Sequence, residues 1–209
     1  MRLLLFSDLH RDTGAARRLV ERADAADVIV GAGDFATVRR GVDDCIEVLQ
    51  AIGKPAVLVA GNNETTDELR SACRHWPSAI VLHGDGTTIA GVPFFGLGGG
   101  VPVTPFGSWS HDFTEEQAEA LLAACPPRAV LIAHSPPRGV VDRDSSGRSL
   151  GSVAVRAAIE RSAPRLVVCG HIHASGGQFE LVGQTPVVNA GPAGCLWDLE
   201  AQEPILSSQ

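Results

Sequence analysis

Seven polar side chains in this sequence each fall just past the end of an apolar run. Asp8 and His10 follow residues 3–6, Asp34 follows 28–32 and Asn62 follows 56–60. His134 follows 129–133, and His171 and His173 follow 166–169. Mixed carboxylate, amide and imidazole donors suit Mn, Fe, Zn, Co or Ni better than Ca. There are enough of them for two ions, and two ions about 3.5–4 Å apart can clamp the attacking and leaving oxygens of a phosphoryl displacement. A shared site needs a bridge. Asp34 is the natural carboxylate for it, because Gly33 beside it leaves room for close backbone approach. Asn62 adds an oxygen donor without adding charge.

The elements that must carry these groups read as alternating strands and helices. Continuous apolar runs of four or five residues predict strands covered on both faces at 3–6, 28–32, 56–60, 129–133 and 166–169. Helices are expected over 14–25 with Thr13 as N-cap, over 42–52, over 65–73 from a Thr65/Glu68 capping box, and over 114–124 from a Thr114/Gln117 box. Another runs from Gly151-Ser152 to about Ser162. Short strands are expected at 178–182, 186–189 and 195–199, and within 80–97, where 84–86 reads as a turn. The tail after Ala201 reads as weakly ordered. Parallel α/β and antiparallel strands thus combine in one domain, 1–209.

Open α/β sheets bind ligands beyond the carboxyl ends of their strands. In Asp8-Leu9-His10 and His171-Ile172-His173, an extended chain would aim both polar side chains the same way and return Leu9 and Ile172 to the core. The segment 98–111 is rich in Gly, Pro and Ser and carries Phe106 and Trp109. A loop of that length reads either as a binding loop or as a surface loop anchored by its aromatics.

The chain has 44% hydrophobic and 20% charged residues, a globular composition. A net charge of −7 disfavours strong non-specific nucleic-acid binding. Five scattered cysteines without a CxxC pair fit a reduced, cytoplasmic protein, with Cys169 and Cys195 in the core. No apolar run is long enough to span a bilayer. A cleaved signal peptide is not expected, since it would remove Asp8.

The ordered blocks Asp8-Leu9-His10, Gly33-Asp34, Gly61-Asn62-Asn63-Glu64, His134-Ser135-Pro136-Pro137 and Gly170-His171-Ile172-His173 resemble those of the calcineurin-like metallophosphoesterases. The segment 188–192 resembles that superfamily's closing strand and turn, and 134–173 resembles its small prokaryotic phosphodiesterases. The resemblance implies an α/β fold of two packed mixed β-sheets flanked by helices, an αββα sandwich. It implies one ion held by Asp8, His10, Asp34 and His173, and a second held by Asp34, Asn62, His134 and His171. Two divalent ions are expected, with Mn favoured over Fe, Zn, Co or Ni. A metal-bridging hydroxide is the implied nucleophile for in-line attack on phosphorus. The implied partner is a phosphate-ester small molecule or a nucleotide, with no membrane involved.

One position departs from the pattern. Many members of the superfamily carry His after the ligand Asn, where it contacts phosphate and protonates the leaving group. This chain has Asn63, which can hydrogen-bond a phosphate oxygen but is no general acid. Glu64 is a candidate to brace the site from outside the ligand set. His111 is a candidate substitute acid, and Arg11, next to His10, is the first candidate for a substrate cation. The leading reading is a phosphohydrolase, with diesters preferred. The alternative is a non-catalytic metal-binding scaffold that keeps the fold.

Overall fold

The computed structural model describes residues 1–205. The chain begins with β1 (Arg2–Phe6), α1 (Thr13–Arg22), β2 (Val28–Gly31), α2 (Val42–Leu49), β3 (Ala56–Leu58), α3 (Thr66–Ala72) and β4 (Ala79–Val81). It continues through β5 (Asp85–Ile89), β6 (Val92–Leu97), α4 (Glu115–Leu122), β7 (Val130–Ala133), α5 (Val153–Ser162), β8 (Leu166–Cys169), β9 (Phe179–Val182) and β10 (Thr185–Asn189). Finally, β11 (Cys195–Asp198) and β12 (Glu203–Pro204) return to the first sheet.

Two six-stranded mixed sheets result, in the orders β12-β11-β1-β2-β3-β4 and β5-β6-β7-β8-β10-β9. β1 to β4 are parallel, as are β6, β7, β8 and β10, and the remaining pairings are antiparallel. The continuous apolar runs follow from this layering. Leu4 and Phe6 of β1 face α1 and α2, while Leu3 and Leu5 face the second sheet. Val130 and Ile132 of β7 meet them across the interior, and Leu131 and Ala133 turn outward under α4 and α5. A strand buried on both faces has no position for a polar residue until it ends. Each leucine so buried contributes about 1.5–3 kcal/mol.

Helix starts follow their caps. The Thr65 and Thr114 capping boxes are both present, and the Ser152 hydroxyl accepts from Val155 N. At α1 the N-cap is Asp12 rather than Thr13, because its carboxylate accepts from Ala15 N at 2.9 Å. That helix passes into a 3-10 turn at Ala23–Ala25, and α2 ends at Leu49, three residues short of the expected end. The chain bends at His83-Gly84, at the start of the turn expected over 84–86, but Asp85 and Gly86 already pair with Gly96 and Phe95, and the hairpin they belong to reverses at Ala90-Gly91. Within the tail, Glu203 and Pro204 pair with Asp198 and Trp197, so β12 is ordered. Residues 206–209 lie outside the described residues. No helix among the described residues is long and apolar enough to cross a membrane.

Candidate metal centre

The two sheets deliver their carboxyl-terminal ends to one place. The connections after β1, β2 and β3 come from the first sheet, and those after β7 and β8 from the second. Backbone bonds continue past the strand ends and fix the connections against one another. Asp8 N donates to Gly33 O, His10 N to Asp34 O, and Gly170 N to His134 O. Across the sandwich, His171 N donates to the Asp8 carboxylate at 3.0 Å.

The chain is not extended at Asp8-Leu9-His10 or at His171. Asp8, His10, Asp34 and His171 have φ values of 56°, 45°, 59° and 66°. Left-handed backbone is uncommon for non-glycine residues and clusters where surrounding structure over-determines it. The two histidines after β8 consequently diverge. His173 Nε2 lies 2.9 Å from His10 Nε2, whereas His171 Nδ1 lies 3.1 Å from Asn62 Oδ1. Leu9 and Ile172 are buried beneath them.

Two overlapping donor sets follow. Donor atoms of Asp8, His10, Asp34 and His173 all lie within 4.8 Å of one another. In the other set, Asn62 Oδ1 is 3.3 Å from His134 Nε2. Asp34 reaches both, with Oδ2 3.5 Å from His10 Nε2 and Oδ1 3.5 Å from His134 Nε2.

These residues fit divalent ions on two grounds. Bonds of about 2.0–2.2 Å to nitrogen and oxygen place neighbouring donors roughly 3–3.5 Å apart, close to the separations here. The outer ring nitrogens of His10 and His134 approach Ala36 O at 3.2 Å and Ala32 O at 2.7 Å. A backbone carbonyl only accepts, so each ring carries a proton on Nδ1 and turns its Nε2 toward the centre. Burial, aided by charge on His134, lowers the His171 imidazole to about 3, so this ring is a neutral donor. Burial opposes ionisation of Asp8, but His173, His134 and Ser7 outweigh it and hold the carboxyl at about 2.

Glu64 is fully buried beside Asp34. Its Oε1 accepts from Asp34 N and Gly61 N at 2.9 and 2.7 Å, and its Oε2 accepts from Ala36 N at 2.9 Å. Gly61 passes so close to Asp34 that a Cβ there would overlap the Asp34 carboxylate.

The other sequence-selected residues sit differently. Asn63 is buried; its Nδ2 donates to Asp34 Oδ2 at 2.7 Å and its Oδ1 accepts from Val38 N at 2.8 Å. Both ends of that amide serve the protein rather than a ligand. Arg11 turns away along α2, with Nε 2.8 Å from Asp44 Oδ2. The His111 ring packs 4.9 Å from Phe113 and 6.2 Å from His83, with its Nε2 buried, so it does not face the donor sets. The connection 98–111 is not anchored by its aromatics. Phe106 is exposed and stacks on Trp109 at 5.6 Å, while the attachment to the centre runs through Ser110 and Asp112. Sequence reading missed Ser110, Asp112 and Thr104; a Ser-x-Asp at the end of a glycine-rich loop was the available signal.

Comparisons with known proteins bear on this geometry. The family model described as calcineurin-like phosphoesterase superfamily domain matches residues 1–205. No match was found among curated proteins. The fold is similar to that of TT1561 from Thermus thermophilus, with TM-score 0.80, 21% identity, and 98% of this chain and 96% of that one covered. It is also similar to a dimetal phosphatase from Danio rerio, with TM-score 0.61, 14% identity and coverage of 90% and 86%. A third likeness is to a phosphopantetheinyl hydrolase from Mycobacterium tuberculosis, with TM-score 0.57, 15% identity and coverage of 90% and 88%.

Proposed function

Because the chain belongs to the calcineurin-like phosphoesterase superfamily, we propose that it is a two-metal phosphohydrolase acting on phosphodiesters, with Mn as the working ion. The observation that carries this reading is the pair of donor sets joined through the two oxygens of Asp34. Asp8, His10, Asp34 and His173 would hold one ion, and Asp34, Asn62, His134 and His171 the other. Divalent ions so held supply Lewis acidity and make water a nucleophile near neutral pH. The protein's part is placement. Asp34 fixes the separation of the two sets, and Glu64 and Asn63 fix Asp34. The Nδ1 contacts of His10 to Ala36 O and of His134 to Ala32 O aim both Nε2 atoms at the centre.

The half-exposed His10 and exposed His173 open this centre to solvent and substrate. Asn63 enters the reaction through Asp34 in this reading, which leaves departure of the leaving group to the ions. Diesters with acidic leaving groups are therefore the preferred substrates. Cytoplasmic residence belongs to the same proposal, supported by five free cysteines, four of them buried.

The test is hydrolysis of bis-p-nitrophenyl phosphate by Mn-loaded protein, with p-nitrophenyl phosphate as the monoester control. Turnover of the diester that disappears in Asp34→Asn is the expected result. Metal-loaded protein that turns over neither ester with any divalent ion would establish the scaffold reading instead.

A further inference from the structure

Asn62 is an ambiguous ligand by nature. Its oxygen can bind a cation and its NH2 cannot, yet the two ends have the same shape. Something must fix which end faces the centre. The connection between β6 and α4 supplies a chain of hydrogen bonds with a fixed direction. Asp112 Oδ2 accepts from Thr104 N at 2.9 Å and from Thr104 Oγ1 at 2.6 Å, and Asp112 Oδ1 accepts from Ser110 Oγ at 2.8 Å. Every one of these partners is a donor, and a carboxylate can only accept.

The single proton of the Ser110 hydroxyl is thereby committed to Asp112. Thr104 Oγ1 also lies 3.0 Å from Ser110 Oγ, but its one proton goes to the nearer carboxylate. Ser110 is left with lone pairs only toward Asn62. The amide end 3.0 Å away must be Nδ2, donating to Ser110 Oγ. Asn62 Oδ1 is then turned toward His134 Nε2 and His171 Nδ1. The same connection grips the Asn62 backbone, since His111 N donates to Asn62 O at 2.9 Å. It also reaches the β7 connection, where Val101 N donates to Ser135 Oγ at 2.8 Å.

We propose that Ser110 and Asp112 are positioning residues for the ion held by Asn62, His134 and His171, with Asp112 setting the polarity that keeps the Asn62 oxygen on the metal. This rests on the two-ion reading above. The loop 98–111 is on this account part of the metal site's frame.

The experiment is calorimetric titration of metal-free protein with Mn2+ alone, for the wild type, Asp112→Asn, Ser110→Ala and Ser110→Thr. The amide introduced by Asp112→Asn keeps the shape but can donate to Ser110, freeing the serine proton to turn toward Asn62. Two ions are expected in the wild type. Asp112→Asn and Ser110→Ala should weaken one of them about 10–100-fold, the usual cost of losing a ligand's supporting bond, and leave the other unchanged. Ser110→Thr, which keeps the hydroxyl, should restore wild-type binding. Wild-type affinity at both sites in Asp112→Asn and Ser110→Ala would overturn the proposal. Equal weakening at both sites would do the same, because it marks general damage to the fold. A wild type that binds one ion would bring down the two-ion reading and this proposal together. Two ions with selective weakening, but no turnover of bis-p-nitrophenyl phosphate, would support the proposal and remove the hydrolase reading.

Discussion

At the scale of single residues, the centre is governed by carboxylates doing unlike work. Asp8 and Asp34 face the donor sets, while Glu64 faces away and takes three backbone amides. Burial and the charge on Asp34 push Glu64 up to about 7, against the pull of the Gly61 and Ala36 amides. Glu64→Gln turns an NH2 group against a backbone N–H and strands a buried donor. Losses of about 1–3 kcal/mol accompany such a change, so the thermal unfolding midpoint of metal-free protein should fall. An unchanged midpoint would show that Glu64 does not hold the Asp34 backbone. For Asp34→Ala, which removes one donor from each set, elemental analysis after dialysis should find less than one ion per chain. Retention of two ions would exclude Asp34 as the bridge.

At the scale of elements, the sandwich depends on connections as well as strands. The 135–152 connection carries no donor of its own beyond His134, yet it is folded around Asp142. That buried carboxylate accepts from the Ser149 hydroxyl, and its Oδ2 also accepts from Gly139 N and Gly151 N at 2.9 Å. Burial opposes its ionisation, but Ser149, the two amides and Arg138 outweigh it and lower its pKa below the usual 3.8. A depressed carboxylate pKa contributes stability above the unfolded-state value, and this is lost as pH falls through the folded-state value. Asp142→Asn should therefore be destabilised at neutral pH, and its deficit against the wild type should shrink below about pH 4. A deficit independent of pH in thermal melts would mean that shape, not charge, matters there. Close approach sets a second constraint. Gly100 lies against Asp112 Oδ1 and Asn62 Cβ, so a Cβ at that position would strike the Asp112 carboxylate. In Gly100→Ala, Mn2+ titration should show the same site-selective weakening as Asp112→Asn.

At the scale of the whole molecule, the centre joins the two sheets. Asp8, Asp34 and Asn62 come from one, and His134, His171 and His173 from the other. An ion that binds only this arrangement stabilises the folded state, by about 2.7 kcal/mol at a free concentration 100 times its Kd. Adding Mn2+ should raise the unfolding midpoint, and a chelator should reverse it. The interior layer shared by Leu3, Leu5, Val130 and Ile132 makes the sheets interdependent. Unfolding should be one cooperative transition, and Ile132→Ala should cost about 2–5 kcal/mol without splitting it. Two transitions in a calorimetric scan would show that the sheets fold separately.

Much of this was legible in the residues alone. Strands buried on both faces must be apolar throughout, so the polar groups just past each one stand out. That logic singled out Asp8, Asp34, Asn62, His134 and His171 as candidates, and the capping boxes at Thr65 and Thr114 declared two helix starts. What the sequence left open depended on backbone conformation and long-range partners. Nothing local distinguishes an extended Asp8-Leu9-His10 from the left-handed path that it takes. Nothing near Asn63 reveals that its amide is spent on Asp34 and Val38, or that Arg11 leaves the centre for Asp44. The orientation of Asn62 is set by residues 42 to 50 positions away, through bonds that only the folded loop makes. Side-chain type and burial pattern are properties of a segment and can be read along the chain. Which atom faces which is fixed by packing between segments, and only the tertiary structure decides it.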